Sequence, residues 1–245
     1  MRIAYTALHY GAEYLAWALR SVQDAVDQIH VLYTSKPSYG HATSLLCPDS
    51  EEKLYAEAHR FVSVPIVWHR GQWSSEGDHR NAIYKVAEGV GAEQVLVVDA
   101  DEVWQPGAAM AALSMGEVIK GFAGSCGVNM VHLWRSFSWV NRDHWMPIRV
   151  LNVGTPREAQ GFLNGLQPVV HCGYAQSLRL MKYKWSCHGH QAELRPNWLE
   201  EKFIGWKPGN RDVHPTTIDI WTPVLRDFEL PNLADHPYAH LGVIE

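Results

Sequence analysis

The stretch from Val95 to Glu102 constrains the fold of this chain more than any other part. It reads Val-Leu-Val-Val-Asp-Ala-Asp-Glu, four apolar residues that run directly into three acids. A short continuous apolar run, preceded by Gly91 and followed by Pro106-Gly107, predicts a strand buried in a parallel sheet. The acids then lie at the carboxyl end of this strand, the edge at which open α/β sheets bind ligands.

Asp99 and Asp101 are separated by a single residue. In an extended chain, alternation places their carboxylates on one side and Ala100 on the other. Two like charges at this spacing need a cation to offset them, and a hard divalent ion that bridges to a phosphate is the usual solution. The alternative is a capped strand end whose acids are solvated.

The rest of the chain has two patterns. Up to about residue 115, strands and helices alternate, which predicts right-handed crossovers in a parallel sheet. Strands are expected at 2–7, 28–33 and 65–69, and helices at 13–26, 50–61, 78–90 and 106–115. Beyond this point the elements are mixed, with a strand or hairpin at 122–134, strands at 147–153 and 167–171, and a helix at 178–185.

These patterns predict an α/β fold with a mostly parallel central sheet and helices on both faces. Residues 1–115 form one half and residues 116–245 a mixed second half of the same compact domain. The net charge of -5 gives no basic excess that would indicate nucleic-acid binding. Four irregularly spaced cysteines do not suggest a disulfide framework. There is no leader-like segment and no apolar run of about 20 residues, so we expect a cytoplasmic enzyme without a membrane span.

Further polar residues are expected at the ligand edge of the sheet. Thr6 and Ala7 end the first strand, and His9 lies in the loop that follows. Arg80 and Asn81 lie in the first turn of the helix at 78–90, where a cation is unfavourable for the helix dipole. Arg80 therefore has an acidic partner, such as Asp78, or binds an anion.

A histidine ends a second apolar strand, Val169-Val170-His171. Together, Asp99, Asp101 and His171 make a plausible site for a first-row divalent ion, with positions left open for a diphosphate. A single histidine at a strand end is more often a hydrogen-bonded structural residue, and that alternative stays open here.

The order of these features resembles the GT-A type of nucleotide-sugar-dependent glycosyltransferase. In that family an Asp-x-Asp follows the fourth strand, as Asp99-Ala100-Asp101 does here. The Val169–His171 strand end is similar to the one that supplies the third metal ligand in glycogenin-like enzymes. The segment from Gly77 to Asn81 resembles a stretch near the donor in family 2 transferases. The resemblance covers roughly residues 1 to 190.

The resemblance implies a metal-dependent transfer of a sugar from a nucleoside diphosphate sugar to an acceptor hydroxyl, with inversion. Asp101 and His171 would hold Mn²⁺ or Mg²⁺. Asp99 would bind the ribose of the donor, or would bind the metal through a water molecule. Lys182 or Lys184, at a spacing that differs from the family's, would stand for the lysine that meets the diphosphate in such enzymes. The full set of expected donor contacts is Thr6, Ala7, His9, Arg80, Asn81, Asp99, Lys182 and Lys184.

The resemblance fixes neither the general base nor the choice between inversion and retention, because inverting members carry a Glu-Asp pair in the second half and none follows residue 102 here. Asp143 is the first candidate, since it is flanked by aromatic residues that could raise its pKa. The alternative role for Asp143 is an ion pair with Arg142 or Arg149. Glu102 is the second candidate for the base, or a support for the metal site.

Two other classes of function compete. Cys172, Cys187, His188 and His190, together with His171, contain enough soft ligands for a zinc-stapled binding or nuclease-like module at residues 171–190. A lectin-like protein would explain the 11 tryptophans but not the paired acids. The acceptor stays open between a saccharide, a protein, a small metabolite and a hydroxylated DNA base, and the sugar and base of the donor are equally open.

Overall fold

The computed structural model describes residues 1–37, 43–142, 146–155, 160–163, 169–187, 193–216 and 220–245. The helices in these ranges are α1 Ala12–Arg20, α2 Glu51–His59, α3 Glu76–Val90, α4 Ala108–Ile119 and α5 Leu178–Ser186. The strands are β1 Arg2–Leu8, β2 Gln28–Thr34, β3 Ile66–Gly71, β4 Gln94–Val97, β5 Glu102–Trp104, β6 Ser125–Val128, β7 Met130–Trp134, β8 Trp139–Arg142, β9 Ile148–Asn152, β10 Gln160–Leu163, β11 Val169–Tyr174 and β12 Val224–Leu225.

Seven of these strands form the central sheet, in the order β10-β6-β9-β4-β1-β2-β3. β1 pairs in parallel with β2 and β4, β2 with β3, and β6 with β10. β9 runs antiparallel to both of its neighbours, β4 and β6. The expected α/β fold with a mostly parallel sheet is therefore confirmed, and strands from both halves of the chain build it.

Helices cover both faces of the central sheet because each strand carries apolar side chains on both sides. One face of β1, β2 and β4 packs against α1, α2 and α4, through residues such as Leu19, Leu54 and Leu113. The other face packs against α3 through Ile83 and Ala87. Strands buried on both faces are what the continuous apolar runs of the sequence require.

The other five strands form a second sheet, in the order β12-β8-β7-β11-β5. Its apolar face, which includes Val131, Leu133 and Val170, packs on Tyr14 and Trp17 of α1. Other side chains of α1 belong to the core of the central sheet, so α1 lies between the two sheets and is buried along most of its length. The sequence patterns did not predict this second sheet.

Two expected elements differ from the structure by more than a shift of their ends. The helix expected at 13–26 ends at Arg20 and is followed by a 3₁₀ turn at Gln23–Ala25. Ser21 is the physical cause, because its hydroxyl donates to the carbonyl of Ala18 at 2.6 Å and accepts from the backbone N–H of Trp104 at 3.0 Å. The strand or hairpin expected at 122–134 is two strands, β6 and β7, in two different sheets.

In the part of the chain that the structure describes, none of the helices has the length and apolar character needed to cross a bilayer.

Candidate functional site

The three acids lie in a tight turn between the two sheets. β4 ends at Val97 and β5 begins at Glu102, and the backbone N–H of Glu102 donates to the carbonyl of Asp99 at 3.0 Å. We call residues 99–102 the acidic turn. The chain is not extended here, so the expectation that Asp99 and Asp101 point to one side by strand alternation is wrong, and their carboxylates have different partners.

Asp99 is held by two arginines. Arg80 approaches its Oδ1 at 3.0 Å, and Arg149 approaches its Oδ2 at 3.1 Å. Burial alone raises the pKa of Asp99, but the two guanidinium groups outweigh burial and hold this pKa well below its usual range. Arg80 also bonds Glu76 at 2.7 Å. The acidic partners of Arg80 are therefore Glu76 and Asp99 and not the expected Asp78, which accepts from Ser74 instead.

Glu102 is enclosed at the far end of the turn, with 1% of its surface exposed. Both of its carboxylate oxygens bond Arg149, one of them to Nε at 2.7 Å. Burial raises the pKa of Glu102 against the attraction of this guanidinium. A carboxylate with both oxygens bonded to a buried arginine has no face toward an acceptor. This geometry does not suit the expected role of general base, and it leaves Glu102 as a support for the acidic turn and, through the turn, for the expected metal site.

Asp101 has a separate set of partners. Its Oδ2 accepts from Lys184 Nζ at 3.1 Å and from Gln176 Nε2 at 3.2 Å, while its Oδ1 lies 3.7 Å from His171 Nε2. Burial raises the pKa of Asp101, but the positive charge of Lys184 outweighs burial and lowers this pKa. Lys184 thus contacts the acidic turn, whereas Lys182 is exposed on α5.

His171 reaches Asp101 by a route that the sequence did not predict. β11 is not part of the central sheet. Its backbone pairs antiparallel to β5, with His171 opposite Glu102, and parallel to β7, with His171 opposite His132. The expectation that both strand tips share one edge of a parallel sheet is wrong. The closeness of His171 and Asp101 is nevertheless observed, because antiparallel pairing with β5 brings β11 directly alongside the acidic turn.

The orientation of the His171 ring is fixed by a second histidine. Nδ1 of His171 and Nδ1 of His132 lie 2.8 Å apart, within hydrogen-bond distance, which leaves Nε2 of His171 facing Asp101. Burial lowers the pKa of His171 to about 3, against the attraction of Asp101, so the imidazole is neutral at ordinary pH. A neutral imidazole whose second nitrogen is held by another group is typical of metal-binding histidines.

The donor set at Asp101 fits part of a metal site. Oδ1 of Asp101 and Nε2 of His171, at 3.7 Å, are too far apart for a hydrogen bond, but this spacing is compatible with two ligands of one ion at about 2.0–2.3 Å each. Asp99 offers no comparable oxygen, since both of its oxygens bond arginines. Among the described residues, no group of three acidic, histidine or cysteine side chains is arranged to hold a metal. Further ligands would have to come from the substrate or water.

The remaining expected donor residues lie at different depths. Thr6 is fully buried, and its hydroxyl has no partner in the described part of the chain. Ala7 is partly buried, and Asn81 is exposed on α3. His9 joins two elements, with Nδ1 at 2.8 Å from the Thr34 carbonyl and Nε2 at 2.7 Å from the Tyr183 hydroxyl.

The cysteines give no support for a zinc module in the described residues. Cys172 follows His171 on β11 and therefore faces the opposite side of the strand, where it is buried in the apolar core of the second sheet. The Cys187 thiol donates to the Tyr183 carbonyl at 3.4 Å. All four cysteines are free. His188 and His190 lie outside the described residues.

Asp143, the first candidate for the base, also lies outside the described residues. The two arginines considered as its ion-pair partners have other acidic partners. Arg142 bonds Asp227 at 2.6 Å, and Arg149 bonds Asp99 and Glu102.

Three residues of the site were not found by reading the sequence: Arg149, His132 and Gln176. Arg149 carries the clearest signal, because it is a single charge within the apolar strand Ile148-Arg149-Val150-Leu151. A charge buried in a strand requires a partner of opposite sign. His132 and Gln176 have no comparable local signal, since only the packing of β7 and β11 brings them to the site.

Comparison with known proteins gives partial structural likenesses. No protein-family model matches the chain, and no curated protein matches it. A protein from Desulfovibrio desulfuricans G20, described as a nucleotide-diphospho-sugar transferase, matches with a TM-score of 0.38 and 11% identity over 62% of each chain. Residues 1–349 of S. aureus TarS match with a TM-score of 0.37 and 16% identity, over 54% of this chain and 36% of that one.

A UDP-glucose pyrophosphorylase in complex with UDP-glucose matches with a TM-score of 0.33 and 13% identity, over 69% of this chain and 73% of that one. The match to the protein from Desulfovibrio desulfuricans covers 62% of that protein's length, which is less than two thirds. Because the TM-scores are low, the assignment of the fold rests on the strand order and helix layers of this chain.

Proposed function

We propose that this protein is a metal-dependent glycosyltransferase that moves a sugar from a nucleoside diphosphate sugar to an acceptor hydroxyl, with inversion. The observation that carries the proposal is the convergence of Asp101, His171 and Lys184 at the carboxyl end of β4. This edge is where open α/β sheets bind nucleotides. A carboxylate, a neutral imidazole and an ammonium group are suited to a divalent ion and the diphosphate that it accompanies.

In this proposal, Oδ1 of Asp101 and Nε2 of His171 face the ion, and His132 keeps the His171 ring in place. Bound Mn²⁺ or Mg²⁺ would supply Lewis-acid stabilisation of the leaving diphosphate. Arg80 and Lys184 stabilise the charge that develops on the phosphate oxygens. Of the two lysines on α5, Lys184 takes this role because Lys182 is exposed away from Asp101.

Asp99 orients the donor in this proposal and also anchors the two arginines. Thr6, Ala7, His9 and Asn81 are proposed to line the rest of the donor site. The acceptor hydroxyl must lose a proton as it attacks, and Asp143 is the proposed base, with Glu102 as a support for the turn. The acceptor stays open among a saccharide, a protein, a small metabolite and a hydroxylated DNA base.

The test begins with thermal shift measurements on a panel of nucleoside diphosphate sugars with Mn²⁺. Donor turnover is then measured as release of the nucleoside diphosphate, with water or added acceptors. We expect Asp101→Ala to abolish turnover and the metal-dependent part of nucleotide binding in a protein that stays folded. Asp227→Ala, at an exposed carboxylate that pairs with Arg142, is the matched control and should retain both.

Two results would contradict the proposal. One is unchanged turnover in Asp101→Ala. The other is release of pyrophosphate from a nucleoside triphosphate without turnover of any nucleotide sugar, which would indicate a nucleotidyltransferase.

A further inference from the structure

Two nitrogens, of His171 and Lys184, meet over Gly173 beside the carboxylate of Asp101. A methyl group at Gly173 would lie 2.6 Å from His171 Nε2 and 2.9 Å from Lys184 Nζ. Lys184 Nζ also lies 3.1 Å from Oδ2 of Asp101 and 3.5 Å from the carbonyl of Gly173. The ammonium group therefore occupies the space beside the two groups that face the proposed ion.

Each carboxylate of the acidic turn already has a cation as its partner. Asp99 pairs with Arg80 and Arg149, Glu102 pairs with Arg149, and Asp101 pairs with Lys184, while Arg80 also pairs with Glu76. A divalent ion that binds to Asp101 meets a carboxylate that Lys184 has already neutralised, and two cations at one carboxylate repel each other. Binding of the ion to the protein alone is therefore weak unless Lys184 moves away.

Moving Lys184 away is costly unless another anion receives it. Only 14% of its side chain is exposed, and its ammonium group lies 5.8 Å from the centre of the Tyr174 ring. A partly buried ammonium that loses its carboxylate has no compensating charge. The diphosphate of a nucleotide that arrives together with the ion would supply that charge.

We infer that Lys184 is a built-in counter-ion of Asp101 that divalent-ion binding displaces, and that the displaced ammonium group makes binding of the ion depend on a nucleoside diphosphate. This inference rests on the proposed function, since it takes Asp101 and His171 as the groups that face the ion. Before the donor binds, Lys184 occupies Asp101 and so competes with the metal for this carboxylate. In this role Lys184 is a positioning residue. The coupling between ion and nucleotide is reciprocal by thermodynamic necessity.

The test uses the full chain and Mn²⁺ alone, with free Mn²⁺ followed by electron paramagnetic resonance. Lys184→Met removes the competing charge and keeps an apolar stem of similar length. We expect it to bind Mn²⁺ about tenfold more tightly than the unaltered protein, equivalent to about 1.4 kcal/mol. Lys184→Arg keeps a cation and should stay weak, and Lys184→Gln is the second neutral variant should the methionine variant not fold.

Lys182→Met is the matched control, because it removes the same charge from the same helix at an exposed position. It should leave the affinity for Mn²⁺ unchanged. In the double variant Lys184→Met with Asp101→Asn, the gain in affinity for Mn²⁺ should disappear. This result would show that the ion binds to Asp101.

Three results would overturn the inference, and they differ in whether they also remove the metal site from the proposed function. Unchanged or weaker Mn²⁺ binding in Lys184→Met, with loss of binding in Asp101→Asn, removes the competition and leaves the proposed metal site intact. Equal gains in Lys182→Met and Lys184→Met indicate a general charge effect. Mn²⁺ binding that Asp101→Asn does not alter removes the metal site from the proposed function as well.

Discussion

A single buried arginine connects the two carboxylates at the ends of the acidic turn. Arg149 has only 10% of its side chain exposed, yet it bonds Asp99 and Glu102 at once. Removing one partner from a buried ion pair costs far more than the pair contributes in net terms, because the remaining charges lose their compensation. Arg149 is therefore expected to be important for stability as well as for the shape of the site.

We predict that Arg149→Met lowers the free energy of unfolding by about 3–5 kcal/mol, because it leaves Asp99 and Glu102 short of a partner. Chemical denaturation at neutral pH measures the change. Arg142→Met is the matched control, since Arg142 also lies on a strand and bonds a carboxylate, but 59% of its side chain is exposed. Its loss should cost less than about 1 kcal/mol. Equal costs would mean that Arg149 does not hold the turn together.

At the scale of single residues, the sequence predicted part of the candidate site. The Asp99–Asp101 pair and His171 were found because they follow apolar strands, and the structure brings Asp101 and His171 within 3.7 Å of each other. Arg149 was considered only as a possible ion-pair partner of Asp143, and not as a partner of the acids at 99–102. A one-dimensional pattern shows that a charge interrupts an apolar run, but the acid that compensates it lies 47 residues away along the chain.

Among the elements, the start of α1 and the acidic turn depend on each other. Gly11 precedes α1 with a φ of +120°, a conformation that residues with a side chain rarely adopt. A methyl group at Gly11 would also lie 2.9 Å from Cβ of Ala100 in the turn. Asp49 holds the start of α1 in place, since its Oδ2 accepts from the backbone N–H groups of Gly11 and Ala12. The acidic turn therefore packs on the first turn of α1.

Gly11→Ala is expected to destabilise the protein by about 1–3 kcal/mol, through backbone strain and the contact with Ala100. Gly89→Ala is the opposite case, because Gly89 lies within α3 and a methyl group there meets no atom within 4 Å. That variant should stabilise the protein by up to about 1 kcal/mol, the helix-propensity difference between the two residues. Thermal unfolding of both variants checks the prediction, and a stabilising Gly11→Ala would contradict it.

For the molecule as a whole, two buried histidines outside the candidate site contribute to the dependence of stability on pH. Burial lowers the pKa of His236 to about 4, and burial together with the neighbouring His69 lowers the pKa of His30 to about 4 as well. His30 lies on β2, and His236 stacks on Tyr14 of α1 at a ring distance of 4.5 Å. Each histidine is neutral in the folded chain at pH 5, whereas an unfolded histidine with a pKa of about 6.5 is mostly protonated there.

The unfolded state therefore binds protons before the folded state does. The free energy of unfolding is not reduced by these histidines above about pH 6.5. As the pH falls from there toward 4, it decreases by up to about 1.4 kcal/mol per pH unit for each histidine. Denaturation at pH 7.5, 6 and 5 measures this slope. His236→Gln should flatten it, and an unchanged slope would show that His236 does not contribute.

The sequence by itself determined the α/β class, the mostly parallel central sheet and most of its helices. These features follow from the spacing of apolar residues over a few turns or a single strand, which depends only on neighbours along the chain. The helix at 78–90 and the strand that precedes Asp99 are present close to their expected bounds.

Only the tertiary structure decided how the site is assembled. It placed β11 in a second sheet, antiparallel to β5, and so brought His171 beside Asp101 without a shared parallel edge. It also folded residues 99–102 into a turn and gave Asp99 and Asp101 separate cations. The reason is physical: pairing between strands about 70 residues apart is selected by burial and by the need of each buried charge for a partner, and a local pattern contains neither.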